Sequence, residues 1–167
     1  YLGHVKEQAA RPVGEILPQL VADWIPTIPF KKSMRWADLD VRFARPVHWI
    51  VSLHGEQVLP FAFGNVTAGN TTYGHRFMAP GPIVLKDPEE YFDRLSRAHV
   101  FVDLEVRKEK IRAGIQEVEK AIGMKWVTDE PLVETVANLV EEPVVMMGRF
   151  EEKYLALPRE ILITSMR

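Results

Sequence analysis

The chain has 167 residues, of which 47% are hydrophobic and 26% charged, as in an ordinary globular domain. Its formal net charge is −2, so any contact with a polyanion must come from a local basic patch. Cysteine is absent, which excludes disulfides and thiolate zinc sites and fits a cytoplasmic protein, and no apolar run approaches the roughly 20 residues of a membrane span.

Residues 1–29 are predicted to form a helical lead-in to a domain over residues 30–167. Apolar side chains at helical spacing give the lead-in one hydrophobic stripe: Ile16, Leu17, Leu20, Val21 and Trp24. Pro18 is compatible with a helix that begins near Glu15, because the amides of a first turn have no intrahelical partner. Pro26 then ends the helix.

A segment rich in cations and aromatic rings follows at residues 31–45, which we call the basic loop. Its candidate site residues are Lys31, Lys32, Arg35, Trp36, Arg42 and Arg45. Lysine and arginine neutralise phosphates, and tryptophan rings stack on bases, so the loop is typical of a surface that meets nucleic acid. The alternatives are a basic solvated loop, or arginines that pair with Asp38, Asp40 and the acidic helices.

Alternating apolar residues predict a strand over residues 47–53, with Trp49 on the face that joins the core. A turn at residues 54–56 then brings residues 57–63 back as the antiparallel partner of that strand. Glycines punctuate the loop region that follows, and residues 75–77 are expected to re-enter a sheet.

A second polar cluster consists of Thr71, Thr72, His75 and Arg76 beside Gly74. Hydroxyl, imidazole and guanidinium groups next to a glycine could hold a phosphate or a nucleotide edge, since glycine lets the backbone approach a ligand closely. The alternative is a structured turn in which the threonines bond local amides. In a strand His75 and Arg76 would point to opposite faces, so at most one of them would meet a given ligand.

Helix signals recur in the second half of the chain. Asp87 and Asp103 are typical N-caps, and Gly123 is expected to end the helix after Asp103 as a left-handed cap. Apolar spacing predicts another helix over residues 132–140, and Pro158 begins a last short one.

Two short apolar runs between these helices, residues 100–102 and 144–147, are predicted strands, with Met146 and Met147 as core filler. Helices interspersed with strands and an early hairpin indicate an α+β (mixed α/β) fold. We therefore expect an antiparallel hairpin and a mixed sheet with flanking helices.

Catalytic and metal-binding signatures do not occur in the sequence. Phosphate-binding Walker loops, dinucleotide fingerprints and helical HExxH motifs are absent, and no serine has the local context of an activated nucleophile. His48 and His54 lack metal-ligand spacing, so each histidine is interpreted as a surface or satisfied core residue. We expect neither a catalytic residue nor a bound metal or cofactor.

Five sequence blocks in a fixed order carry a family resemblance: KKSMRW, FARPVHWI, AGNTTYGHRF, ANLVEEPV and FEEKYLALPREILITSM. Together they resemble the β subunit of bacterial heterotetrameric glycyl-tRNA synthetase over residues 30–166. That family usually has glycine after the MRW triplet, where this chain has Ala37. The family's opening EIGTEELP-like segment is absent, so the resemblance implies an internal fragment of a much longer subunit.

The resemblance implies a part in the ATP- and magnesium-dependent attachment of glycine to tRNA, with catalysis on the α subunit. The partners it implies are glycine tRNA, the α subunit and a second β subunit, in an assembly of two α and two β chains. The candidate site residues of the basic loop and of the second cluster would then contact tRNA. The implied fold is similar to the editing-type domain of the phenylalanyl-tRNA synthetase β subunit.

Two alternatives stay open. A domain of that type could be a deacylase that hydrolyses mischarged tRNA, which requires a pocket with a positioned water and few conspicuous side chains. The basic loop could instead dock another protein domain, which would make the chain a pure interaction scaffold.

Overall fold

Five α-helices and six short β-strands form the regular structure of residues 10–166, the part of the chain that this computed structural model describes. The helices are α1 (Val13–Trp24), α2 (Tyr91–Arg97), α3 (Leu104–Ile122), α4 (Glu130–Leu139) and α5 (Arg159–Met166). The strands are β1 (Leu53–His54), β2 (Gln57–Val58), β3 (Ala62–Phe63), β4 (Val66–Thr67), β5 (Thr71–Tyr73) and β6 (Pro82–Val84). The chain divides after Arg94 into two compact units, the first and the second unit.

Helix α1 confirms the predicted N-terminal helix, but the predicted start near Glu15 is wrong. The helix begins at Val13, so Pro18 lies inside it and removes one intrahelical hydrogen bond. The helix ends before Pro26, as predicted, and a 3-10 turn over Ile25–Thr27 follows. No residue of α1 is buried, and Trp24 is 59% exposed, so the described residues cover the predicted apolar stripe only in part.

The predicted early hairpin forms, but with much shorter strands. Strands β1 and β2 pair antiparallel across a two-residue turn that contains Gly55 at φ +54°. The long strand predicted over residues 47–53 is wrong, because its centre bonds to Gly69 instead. The Ser52 amide donates to the Gly69 carbonyl at 2.8 Å, and the Gly69 amide donates to the Ile50 carbonyl at 2.9 Å.

Two further antiparallel pairs complete the strands of the first unit, β3 with β4 and β5 with β6. The second half of the predicted return strand, residues 57–63, thus pairs with a later segment. Residues 76–78 form a turn, in which the Ala79 amide donates to the His75 carbonyl at 3.0 Å. The predicted strand over residues 75–77 is therefore wrong. Among the described residues of the first unit, the buried side chains are Leu59, Phe63, Ala68, Thr72 and Leu85.

Helices α3 and α4 supply the core of the second unit, where Ile111, Val133 and Ala137 are buried together. The predicted caps are confirmed: the Asp103 carboxylate accepts from the Glu105 amide at 2.8 Å, and Gly123 ends α3 at φ +68°. Local capping chemistry therefore determined the limits of the longest helix.

The two strands predicted in the second unit are wrong. The Phe101 amide donates to the Glu141 carbonyl at 3.0 Å, but no ladder extends from that bond within the described residues. Residues 144–147 are irregular, and Met146 is 84% exposed, so its prediction as core filler is also wrong. A short apolar run becomes a strand only where a partner strand completes its hydrogen bonds.

The α+β class is confirmed, since helices accompany small antiparallel sheets. The mixed sheet is wrong for residues 10–166, where three separate two-stranded antiparallel sheets occur and Val51 with Gly69 forms an isolated parallel bridge. The predicted lead-in over residues 1–29 and domain over 30–167 stay a prediction, and residues 1–9 lie outside the described part. No helix among the described residues is long and apolar enough to cross a membrane.

Candidate nucleic-acid interface

A single antiparallel bridge closes the basic loop at its neck. The Met34 amide donates to the Phe43 carbonyl at 2.9 Å, and the Phe43 amide donates back to the Met34 carbonyl at 3.2 Å. Between them the chain turns at Ala37, whose φ of +49° lies in the left-handed region. A side chain in that region crowds its own backbone, so alanine is strained in this turn and glycine would not be.

Aromatic rings anchor the loop on the β3–β4 hairpin. The Phe43 ring meets Phe30 edge-on at 4.7 Å between centroids and Phe63 at 5.8 Å, and Trp36 lies 6.1 Å from Phe63. Glycine at position 64 allows the loop to approach the hairpin this closely, because a Cβ atom there would lie 3.1 Å from a methyl group of Val41. The tryptophan of the basic loop is thus part of its support and packs against the hairpin.

Two of the five cations in the loop have partners. The Arg42 guanidinium donates from Nε to the Ser33 hydroxyl and from Nη2 to the Ser33 carbonyl, each at 3.2 Å. Arg35 lies 3.6 Å from Asp40, an ion pair whose two side chains are both largely exposed. Arg42 therefore braces the loop, whereas the exposed Arg35 pair is weak and leaves its cation accessible.

The other three cations, Lys31, Lys32 and Arg45, are exposed. Within residues 10–166 their side chains form no ion pair or hydrogen bond. The structure therefore presents three uncompensated positive charges on a loop whose backbone is held by its own bridge and by aromatic packing. Such charges suit contact with phosphate oxygens.

The second polar cluster has two different environments. Thr72, on β5, is only 2% exposed, and its hydroxyl accepts a hydrogen bond from the Trp49 Nε1 at 3.2 Å. His75 braces its own turn, since its Nδ1 accepts from the amides of Phe77 and Met78 at 3.2 Å each. Thr71 is half-buried beside Thr72, whereas Arg76 is exposed with its guanidinium 6.0 Å from the Phe77 ring.

Trp49 is 44% exposed, so its predicted place in the core is wrong. It borders a cavity of about 400 Å³ that we call the aromatic pocket, lined by Trp49, Val51, Thr72, Leu85, Tyr91 and Phe92 among others. The Tyr73 ring lies 4.7 Å from that of Trp49. Sequence reasoning missed this pocket because its walls come from separate segments, and no local pattern signals their convergence.

No group of three or more His, Asp or Glu side chains positioned to hold a metal ion occurs among residues 10–166. The clusters at the basic loop and at residues 71–76 are therefore groups of cations, hydroxyls and rings.

The family model described as the glycyl-tRNA synthetase beta subunit matches residues 1–167. The chain belongs to this family. It is 50% identical to the glycine–tRNA ligase beta subunit of Geobacter sulfurreducens, 49% to that of Syntrophotalea carbinolica and 44% to that of Myxococcus xanthus. Each match covers 100% of this chain and 24% of the relative, so the chain spans about a quarter of the length of these curated relatives.

Membership in the glycyl-tRNA synthetase beta subunit family bears on the strained turn at Ala37. The family resemblance implies glycine at this position, and the left-handed backbone supplies the physical reason. This chain keeps the turn with alanine, at a conformational cost of about 1–2 kcal/mol.

Proposed function

We propose that this chain is a tRNA-contacting and assembly region of the β subunit of a glycine–tRNA ligase. The observation that carries the proposal is the basic loop, with three exposed cations left without an acidic partner among the described residues. A loop held by an aromatic anchor loses little further entropy when it meets a ligand, so its cations suit phosphate contact. Arg35 and Arg76, both exposed, are the next candidates.

The proposed enzyme is a cytoplasmic assembly in which the α subunit attaches glycine to tRNA with ATP and magnesium. Two α and two β chains are proposed, with this region supporting the reaction by holding tRNA. The family membership supports the assignment to a β subunit. We assign no catalytic residue within residues 10–166.

We also propose an architecture similar to the editing-type domain of the phenylalanyl-tRNA synthetase β subunit, supported by the shared α+β class. Hydrolysis of mischarged tRNA is the less favoured function. None of the side chains that line the aromatic pocket is a carboxylate, an imidazole or an amine, so hydrolysis there would depend on a water held by hydroxyl or backbone groups alone.

Titration of labelled glycine tRNA with the assembled ligase tests the proposal, at low and at physiological salt and beside a noncognate tRNA. The wild-type enzyme should be compared with a Lys31→Ala, Lys32→Ala variant. We expect the variant to bind tRNA more weakly and with a shallower dependence on salt, since phosphate contacts release counterions.

Equal affinity of the two enzymes at low salt, with the fold intact, would contradict tRNA contact by the basic loop. If the variant also assembled poorly with the α subunit, the loop would be a protein-docking surface. Gel filtration of the two subunits without RNA separates these outcomes.

A further inference from the structure

The aromatic pocket combines a concave shape with exposed rings. Trp49 is 44% exposed and Phe92 62% exposed, and both line the same cavity of about 400 Å³. Tyr73, 41% exposed, extends the ring surface of Trp49. Aromatic rings gain much free energy from burial, so several exposed rings around one cavity mark a surface that takes a ligand.

The lining of the pocket is partly polar and partly apolar, and its side chains are neutral. Thr72 contributes a hydroxyl that already accepts from the Trp49 Nε1 and can donate to a further acceptor. No lining side chain carries a formal charge at neutral pH. Such a pocket is complementary to a flat, uncharged ring system with a hydrogen-bonding edge, the chemistry of a nucleobase.

A cation stands close to the pocket along the chain. Arg45 precedes Trp49 by four residues, so their Cα atoms are at most about 14 Å apart. Arg45 is exposed, and its side chain is unpaired within the described residues. One strand of RNA could therefore place a phosphate at Arg45 and a neighbouring base at Trp49.

We propose that the aromatic pocket binds one unstacked nucleobase of single-stranded RNA, with Arg45 holding the adjoining backbone. This inference rests on the proposed contact with tRNA and adds to it a specific subsite. Bases in loops and single-stranded ends can be splayed out and stacked on aromatic side chains, whereas bases inside a duplex cannot.

The test compares two probes with the assembled ligase: a short oligoadenylate, and a chain of the same length with ribose phosphates but no bases. Both probes carry the same phosphates, so the ratio of their affinities reports base contacts. Phe92→Ala removes a largely exposed ring from the pocket. Phe150→Ala removes a ring that is 49% exposed outside the pocket and serves as the matched control.

We expect the wild-type enzyme and the Phe150→Ala control to prefer the base-bearing probe, and Phe92→Ala to lose about tenfold of that preference. Photocrosslinking with a thiouridine-containing oligonucleotide should label a ring of the pocket, mapped by mass spectrometry. An affinity ratio unchanged by Phe92→Ala, or crosslinks only outside the pocket, would overturn the proposal.

A separate variant distinguishes the nucleobase subsite from the proposed contact between the basic loop and tRNA. Lys31→Ala with Lys32→Ala should weaken both probes equally, and a failure to do so counts against phosphate contact by the basic loop. If Phe92→Ala instead impaired assembly with the α subunit and left the affinity ratio intact, the pocket would take a protein side chain, and the nucleobase proposal would be wrong.

Discussion

The two units use the same kinds of cations differently. In the second unit Arg112 donates to Glu130 at 2.6 Å and Lys108 to Glu105 at 2.8 Å, while Lys110 lies 4.2 Å from the centroid of the Phe101 ring. In the first unit, three cations of the basic loop have no partner among residues 10–166. These three helix cations have partners within their unit, whereas Lys31, Lys32 and Arg45 on the loop are available to a ligand.

The units also differ in how they are held together. Helices α3 and α4 share a buried aliphatic cluster around Ile111, Val133 and Ala137. The basic loop is held by one backbone bridge and by the packing of its partly exposed Phe43 and Trp36 rings on Phe63. We therefore expect core substitutions in the second unit to act on stability and charge substitutions in the first to act on binding.

The largest expected effect comes from Ile111→Ala, which empties a site only 6% exposed in the core of the second unit. The loss of buried methylene groups and the remaining cavity should lower the free energy of unfolding by about 2–5 kcal/mol. Urea denaturation of the chain measures this. Ile161→Ala, at a position 50% exposed, is the control. An equal loss of unfolding free energy there would show that burial of Ile111 does not set the size of the effect.

The next effect should be on binding. Replacing Lys31, Lys32 and Arg45 together with Ala should weaken tRNA binding by the assembled ligase about tenfold or more at low salt. The slope of log affinity against log salt should become shallower by about two to three. Lys108→Ala with Arg112→Ala is the matched control, because these cations are engaged by carboxylates; it should leave the tRNA affinity unchanged. Equal losses of tRNA affinity in the two variants would contradict the proposed difference between loop and helix cations.

The two left-handed positions at the basic loop should respond with opposite signs. Gly64→Ala adds a Cβ 3.1 Å from Val41 and 3.2 Å from Leu39 at φ +62°, and should lower the free energy of unfolding by about 1–2 kcal/mol. Ala37→Gly relieves the strain at φ +49° and should raise it by about 0.5–1 kcal/mol. Urea midpoints decide both, and destabilisation by Ala37→Gly would show that the turn is unstrained.

The smallest effect concerns pH and the paired cations. A hydrogen bond from Arg112 lowers the pKa of Glu130 below its usual 4.5. A lowered pKa stabilises the fold above that usual value, and the contribution is lost as pH falls through the folded-state pKa. Glu130→Gln should therefore lower the unfolding midpoint slightly at neutral pH and have no effect in strong acid. High salt should reduce the difference between the unfolding midpoints of the wild type and the variant. A difference that grows in acid would show that the ion pair is not its cause.

The candidate site was partly predictable. The basic loop could be located because charge and ring density are properties of consecutive residues. The sequence could not show which cations of the loop are free, because Ser33 engages Arg42 and Asp40 pairs with Arg35 only once the loop has closed. The aromatic pocket was unpredictable for the same reason, because Trp49 and Phe92 lie 43 positions apart and meet only in the folded chain.

By itself, the sequence determined where the helices lie and which residues cap two of them, although the start of α1 was predicted wrongly. The caps at Asp87, Asp103 and Gly123 act within a few residues, so local chemistry is sufficient. The tertiary structure decided the strands, because an extended segment of two or three residues has no stable form until a distant partner completes its hydrogen bonds. Ser52 bonds to Gly69 as well as to Leu59, and Ile50 bonds to Gly69, so residues 47–53 do not pair with residues 57–63 along their whole length. Long-range packing also left Trp49 at the rim of a pocket instead of in the core.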